Sequence, residues 1–257
     1  MSKIKNGQFW LGDCLKLMKN IADGSVDMIL CDLPYGTTAC SWDTIIPFAP
    51  LWEQYDRVIK KNGAIVLTAS QPFTTTLISS QIQKFKYSWV WNKISVTGFA
   101  NAKHQPLRHL EDCCVFYSAF PTYNPQGLRK INKTNRNTVS VGGDTMRTNV
   151  ENSKNKGAMR TQGHEYVQEF TDYPRQLLEF SRDKEKTHPT QKPVALFEYL
   201  IKTYTNEGET VLDNCAGSGT TAIAAENTGR KWICIEQDPS YYYQAVGRVI
   251  GHAIPQT

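Results

Sequence analysis

One short loop limits what this chain can fold into more than any other feature. Asp213-Asn214-Cys215-Ala216-Gly217-Ser218-Gly219-Thr220-Thr221-Ala222 follows an apolar strand pattern at Thr210–Leu212 and opens a helical pattern at Thr220–Asn227. The spacing Gly217-x-Gly219-x-x-Ala222 matches the dinucleotide-type fingerprint. Glycine there lets the backbone turn tightly and come close to a ligand. The free N–H groups and positive dipole end of the helix favour an anionic group. Glu236 ends the next strand pattern, Trp232–Ile235, 19 positions after Gly217. A carboxylate at that place accepts hydrogen bonds from ribose hydroxyls. The pattern describes an adenosine-type site and leaves open a nicotinamide cofactor, S-adenosylmethionine or a plain strand–helix turn.

The rest of the chain repeats the strand–helix theme. Strands are expected at Gln8–Leu11, Val26–Cys31, Ala64–Ala69, Tyr87–Trp91 and Asp112–Tyr117. Helices are expected at Cys14–Ile21, Pro47–Lys60, Pro72–Ile82, Val194–Tyr204 and Ser240–Ile250. Alternation of this kind predicts an α/β fold with a mostly parallel sheet. The pattern stops at Pro121 and resumes at His188, so 121–187 reads as an inserted region between two halves, 1–120 and 188–257.

That insert is basic. Arg129, Lys130, Lys133, Arg136, Arg147, Lys154, Lys156 and Arg160 face only Asp144 and Glu151 over the same stretch, although the whole chain is only +5. A polyanionic partner explains such clustering, and so does a solvated insert. The seven cysteines form no C-x-x-C pair and no zinc spacing with histidine, so reduced thiols and no metal site are expected. No apolar run is long enough for a membrane span and the start lacks a secretory core; a cytoplasmic protein is expected.

A second loop carries chemistry. Asp32-Leu33-Pro34-Tyr35-Gly36 follows the Val26–Cys31 strand. Ligands gather at the carboxyl edge of such sheets. An aromatic amine is a poor nucleophile because its lone pair spreads into the ring. A carboxylate and a backbone carbonyl aimed at its hydrogens favour a pyramidal nitrogen and stabilise the positive charge of attack. Pro34 stiffens the loop, and Tyr35 offers a ring on which a base withdrawn from a duplex can stack. A proline turn with Tyr35 as packing is the plainer alternative.

Three segments together carry a resemblance. Asp32-Leu33-Pro34-Tyr35, His188-Pro189-Thr190-Gln191-Lys192-Pro193 and Asp213-Asn214-Cys215-Ala216-Gly217-Ser218-Gly219-Thr220 look like those of the amino-group DNA methyltransferases. Their order, catalytic motif first and cofactor loop last, is similar to the permuted beta group. The resemblance covers Gly7–Tyr117 and His188–Ile250 and weakens in the insert. It implies a Rossmann-like, circularly permuted sheet with S-adenosylmethionine as methyl donor, and the insert as target-recognition region on duplex DNA.

By this resemblance Asp32, Leu33, Pro34 and Tyr35 are catalytic. Asp213, Cys215, Gly217, Ser218, Gly219, Thr220 and Glu236 would hold the cofactor. Lys192 would pair with the methionine carboxylate, the alternative being an exposed lysine. Asp13 would accept from the cofactor adenine, cap the following helix, or do both. Arg129, Lys130, Lys133, Arg136 and Arg147 would meet DNA. Asp at the first catalytic position resembles the adenine-N6 enzymes; Ser is typical of cytosine-N4 enzymes. The expected reaction is direct in-line attack by the N6 amino group of a flipped-out adenine. Cytosine-N4 methylation and a non-enzymatic DNA-binding role are the alternatives. A homodimer and a companion restriction endonuclease are compatible with this role.

Overall fold

The computed structural model describes residues 6–37, 43–136, 165–183 and 191–252. The chain divides into two compact units, one of residues 1–126 and 175–257, the other Gly127–Pro174.

The larger unit is built on one eight-stranded sheet. Its elements are β1 (Gly7–Leu11), α1 (Cys14–Leu17), β2 (Val26–Asp32), α2 (Phe48–Val58), β3 (Ile59–Ala69), α3 (Phe73–Ser80), β4 (Phe85–Thr97) and β5 (Arg108–Phe116). The second unit interrupts with β6 (Arg129–Arg136) and β7 (Glu165–Thr171). The sheet resumes with β8 (Leu177–Glu179), α4 (Val194–Tyr204), β9 (Thr210–Asp213), α5 (Thr220–Asn227), β10 (Lys231–Glu236) and α6 (Pro239–His252). Strand order is β1-β10-β9-β2-β3-β5-β4-β8. Strand β5 alone runs against the others.

The permutation is visible in the strand order. Strand β1 lies parallel beside β10, with Leu11 opposite Glu236, so the first strand supplies the neighbour that follows the Glu236 strand. The N-terminal half meets the C-terminal half again where β2 pairs with β9.

Both sheet faces are covered, which explains the unbroken apolar run of β2. Met28 and Leu30 point to a core shared with α4 and α5, through Leu200, Phe197 and Ala224. Ile29 and Cys31 point to the opposite core, shared with α2 and α3 through Leu51, Tyr55 and Leu77. Trp89 and Trp91 lie in the first of these cores, as their spacing in β4 requires. The six described cysteines are free, five of them buried. Burial pushes the Cys31 thiol up to about 12.

Several boundaries differ from the sequence reading, β4 and β5 among them being longer than the expected Tyr87–Trp91 and Asp112–Tyr117. The helix expected to reach Lys60 ends at Val58, and β3 begins at Ile59, where β-branched residues give way to pairing with Val26. The helix expected over Cys14–Ile21 is one α-turn followed by a 3-10 turn, Met18–Asn20. The compact second unit spans Gly127–Pro174 rather than the expected 121–187. Leu177–Glu179 joins the main sheet because Leu178 is buried there and the strand pairs with Val90–Asn92 of β4.

The second unit contains an antiparallel pair, β6 with β7. Arg129 pairs with Asp172 across it at 3.0 Å. Lys130, Lys133 and Arg136 also lie on β6, opposite Phe170, Gln168 and Glu165. Arg147 lies outside the described residues.

Candidate active site

The parallel strands end at one edge, and an acidic residue stands at or just beyond the end of four of them. Asp13 follows β1, Asp32 ends β2, Asp213 ends β9 and Glu236 ends β10. Because β5 runs backwards, its early residue Glu111 reaches the same edge. A cavity of about 800 Å³ opens between these ends, lined by residues at or just beyond the ends of all five strands. That size suits a small-molecule ligand, for which roughly 300–1,000 Å³ is usual.

The glycine loop forms one wall. Gly217 and Gly219 both have positive φ, 49° and 74°, a conformation that favours glycine. A Cβ on Gly219 would sit 3.2 Å from both Ala245 of α6 and Phe9 of β1, so the loop is also pressed close to its neighbours. Asp213 shapes the turn from beneath: its carboxylate accepts from the Cys215 N–H at 3.0 Å and the Thr221 hydroxyl at 2.5 Å. Burial pushes this carboxyl up to about 6, against those two donors. Ser218 and Thr220 hydroxyls are 3.1 Å apart, and Arg248 of α6 donates to the Ser218 carbonyl at 3.0 Å.

Glu236 stands beside the loop. One carboxylate oxygen accepts from Gly217 N–H at 2.7 Å, the other from Asp238 N–H at 2.9 Å. Burial raises its pKa and these backbone donors oppose the rise. A carboxylate has about four acceptor sites, so two remain for hydroxyl donors from the cavity. Asp13 lines the same cavity and caps α1, accepting from Lys16 N–H at 3.0 Å. Asp13→Ala is expected to cost about 1 kcal/mol of stability through loss of that cap, read as a lowered urea midpoint at unchanged slope.

The opposite wall holds Asp32. Its register partner on β3 is Thr68, whose hydroxyl donates a short hydrogen bond to Asp32 Oδ1. The Tyr35 hydroxyl donates to the same oxygen at 2.8 Å. Burial, then the Asp32 and Glu111 charges, hold the Tyr35 phenol well above its ordinary pKa, so it remains a donor. The Tyr35 ring stacks on Phe73 with centroids 5.0 Å apart. Leu33 is buried in the α2–α3 core, and both it and Pro34 line the cavity. Asp43 braces the loop by accepting from Gly36 N–H at 2.8 Å and Thr37 N–H at 2.9 Å.

Lys192 stands elsewhere than expected. It is 6% exposed, which excludes the reading as a surface lysine. Its ammonium bonds Asp32 Oδ2 at 2.7 Å and lies 3.4 Å from Glu111 Oε2. Glu111 in turn pairs with Lys93 at 2.5 Å. Burial acts to lower the Lys192 pKa, but the Asp32 and Glu111 carboxylates outweigh it and raise the value. Lys192 stays near the cofactor loop only through its backbone, whose carbonyl accepts from the Thr220 hydroxyl at 3.2 Å. His188, Pro189 and Thr190 of the same motif lie outside the described residues.

Sequence reasoning missed Thr68, Asp43, Lys93 and Glu111. Thr68, Lys93 and Glu111 act through partners distant in sequence, whereas Asp43 braces a loop only six or seven residues before it. The one local signal was a pair of charges, Lys93 and Glu111, inside strands otherwise apolar on that face.

A Rossmann-like sheet with an adenosyl-type loop and a carboxylate–Pro–Tyr loop on one cavity describes an S-adenosylmethionine-dependent amino-methyltransferase. The cavity, the half-buried acceptor Glu236 and the close-packed glycine loop fit that donor. A family model described as DNA methylase matches residues 26–247. The chain belongs to this family of N6/N4 amino-methyltransferases acting on DNA. It is 29% identical over 256 residues to the DNA adenine methyltransferase YhdJ of Escherichia coli (strain K12), covering 93% of this chain and 81% of that protein. It is 26% identical over 253 residues to the type II methyltransferase M.HpaI of Haemophilus parainfluenzae, covering 92% and 72%. Among solved structures, the M1.HpyAVI–SAM complex is similar with a TM-score of 0.61 and 23% identity, over 94% of this chain and 99% of that one. The cytosine-N4-specific PvuII DNA methyltransferase is similar with a TM-score of 0.67 and 15% identity, over 97% and 92%. No helix among the described residues is long and apolar enough to cross a membrane.

Proposed function

We propose that this chain methylates the N6 amino group of adenine in duplex DNA. The observation that carries the reading is the carboxylate of Asp32, rather than a hydroxyl, at the catalytic edge of the cavity, held by Thr68 and Tyr35. The name of the relative YhdJ supports adenine. The likeness to the PvuII enzyme, whose title gives cytosine N4, means that the fold alone does not choose the base.

When bound, S-adenosylmethionine supplies an electrophilic methyl group on a sulfonium. Glu236 takes the ribose hydroxyls, and Asp13 the adenine amine. The backbone N–H groups at the α5 N-terminus offer donors to the carboxylate end, while Lys192 is engaged with Asp32. A target adenine swings out of the duplex into the cavity. Asp32 and the Leu33 carbonyl then hold its amino hydrogens, turn the nitrogen lone pair toward the donor and stabilise the developing positive charge. Tyr35 offers ring surface to the base. The basic strand β6, with Arg129, Lys130, Lys133 and Arg136, meets phosphates and carries part of target recognition, together with Arg147.

The test is transfer of labelled methyl from S-adenosylmethionine to unmethylated genomic DNA, followed by digestion and nucleoside analysis. Label in N6-methyladenine is expected. Label in N4-methylcytosine overturns the base assignment and leaves the family intact.

A further inference from the structure

Asp32 has both carboxylate oxygens occupied: Thr68 and Tyr35 hold Oδ1, and Lys192 holds Oδ2. An incoming amino group needs one of them. Oδ1 already accepts two donors, so the amino group comes to Oδ2, where it competes with the Lys192 ammonium; a cation drawn off there without a new partner would be a lone charge at a buried position, which is strongly disfavoured.

Glu111 is built for that exchange. It sits opposite Trp91 in the β4–β5 pairing, and Lys93 is two residues further on the same face. Its Oε1 is held by Lys93 at 2.5 Å. Its Oε2 is, among the described residues, the one buried side-chain nitrogen or oxygen without a hydrogen-bond partner, and it lies 3.4 Å from the Lys192 ammonium. All four charged groups line the same cavity. The open acceptor is thus beside the cation that must move. Burial would raise the Glu111 pKa, but the Lys192 and Lys93 charges lower it, so it stands ready as an anion.

We infer that Glu111 is a positioning residue for methyl transfer: its open Oε2 receives the Lys192 ammonium when Asp32 releases it to bind the target amino group. Lys93 anchors Glu111 so that the receiving oxygen stays in place. The inference rests on amino-group transfer, which the family establishes, and holds for adenine and cytosine alike.

Two variants separate this role from simple charge balance. Glu111→Gln leaves the Asp32–Lys192 pair without its receiver and leaves Lys93 unpaired. Glu111→Gln with Lys93→Met removes the unpaired cation as well and leaves Asp32 and Lys192 balanced. Measured are kcat for labelled methyl transfer to genomic DNA, the affinity for S-adenosylhomocysteine by calorimetry, and the unfolding midpoint. The expected result is a double variant with restored folding stability and product affinity but kcat lowered by about tenfold or more. Recovery of kcat together with stability in the double variant overturns the proposal, because Glu111 would then only neutralise Lys93. Full kcat in Glu111→Gln overturns it as well. A wild-type protein that places label on neither base would instead strike at the proposed function, a result these variants do not mimic.

Discussion

Asp32→Ala is expected to lower kcat by about 100- to 1,000-fold or more, while affinity for the methyl donor stays largely unchanged. In the proposed mechanism the carboxylate works on the target amine, whereas the cofactor loop and Glu236 belong to other strands of the sheet edge. Removing it deletes both the acceptor that orients the amino group and the negative charge that meets the positive charge of attack. The fold should tolerate the change. Lys192 keeps Glu111 as a partner 3.4 Å away, and Tyr35 keeps Thr68 at 3.2 Å, so no buried charge is orphaned. Asp32→Asn preserves the volume and one acceptor oxygen, yet loses the charge and points an amide donor at Lys192 or at the two hydroxyls. It should also be severely impaired. Single-turnover methyl transfer alongside calorimetric binding of S-adenosylhomocysteine checks both parts. Wild-type activity in the alanine variant would remove Asp32 from the reaction and undo the proposed mechanism.

The second large effect concerns stability. Asp213 is fully buried beneath the glycine loop, and its carboxyl is pushed from an ordinary 3.8 up to about 6. Between about pH 4 and pH 6 the native protein holds this proton and the unfolded chain has already lost it. The unfolded state therefore binds fewer protons, and the contribution of this group to stability falls as pH rises through that window. Above it, the folded protein carries an ionised buried carboxylate at a cost of about 3 kcal/mol. Asp213→Asn keeps the acceptor for Cys215 N–H and can donate its amide to the Thr221 hydroxyl. The stability difference between the variant and the wild type should therefore grow in favour of the variant from pH 4 to pH 7, by up to about 3 kcal/mol. Urea unfolding at a series of pH values reads it directly. A difference that does not change with pH would mean that Asp213 titrates in the fold as it does in the open chain. That a carboxylate persists under this loop despite its cost is consistent with a site tuned for binding rather than for stability.

Much of the architecture could be read from residue order, because its determinants are local. Period-two and continuous apolar runs identify strands such as Val26–Cys31, and helix-period patterns identify Val194–Tyr204. Gly217 and Gly219 stand at the spacing of a tight strand–helix turn, and the structure gives both positive φ. The permuted order was legible through the resemblance, from the order of the three motifs along the chain, and in the fold β1 lies parallel beside the Glu236 strand. The insert was visible as the loss of periodicity, but its C-terminal limit was not. Leu177–Glu179 is three residues long, too short for a pattern, and becomes a strand only by pairing with β4.

The catalytic edge divides along the same line. Asp32 and Tyr35 are neighbours in sequence and their role follows from residue type and order. What surrounds them comes from strands that the chain brings together only on folding. Thr68 reaches Asp32 through the β2–β3 register, Glu111 through the reversed direction of β5, and Lys192 across 160 residues. The sequence alone determined the class of sheet through its alternating apolar patterns, and it marked the proposed donor-binding loop and the proposed acidic catalytic loop, since each loop is a short stretch whose backbone geometry and chemistry are set by adjacent residues. Only the tertiary structure decided that Lys192 serves Asp32 and that Glu111 stands open beside it. Electrostatic partners are chosen by distance in space and by exclusion of water, and neither quantity is written in the spacing of residues along the chain.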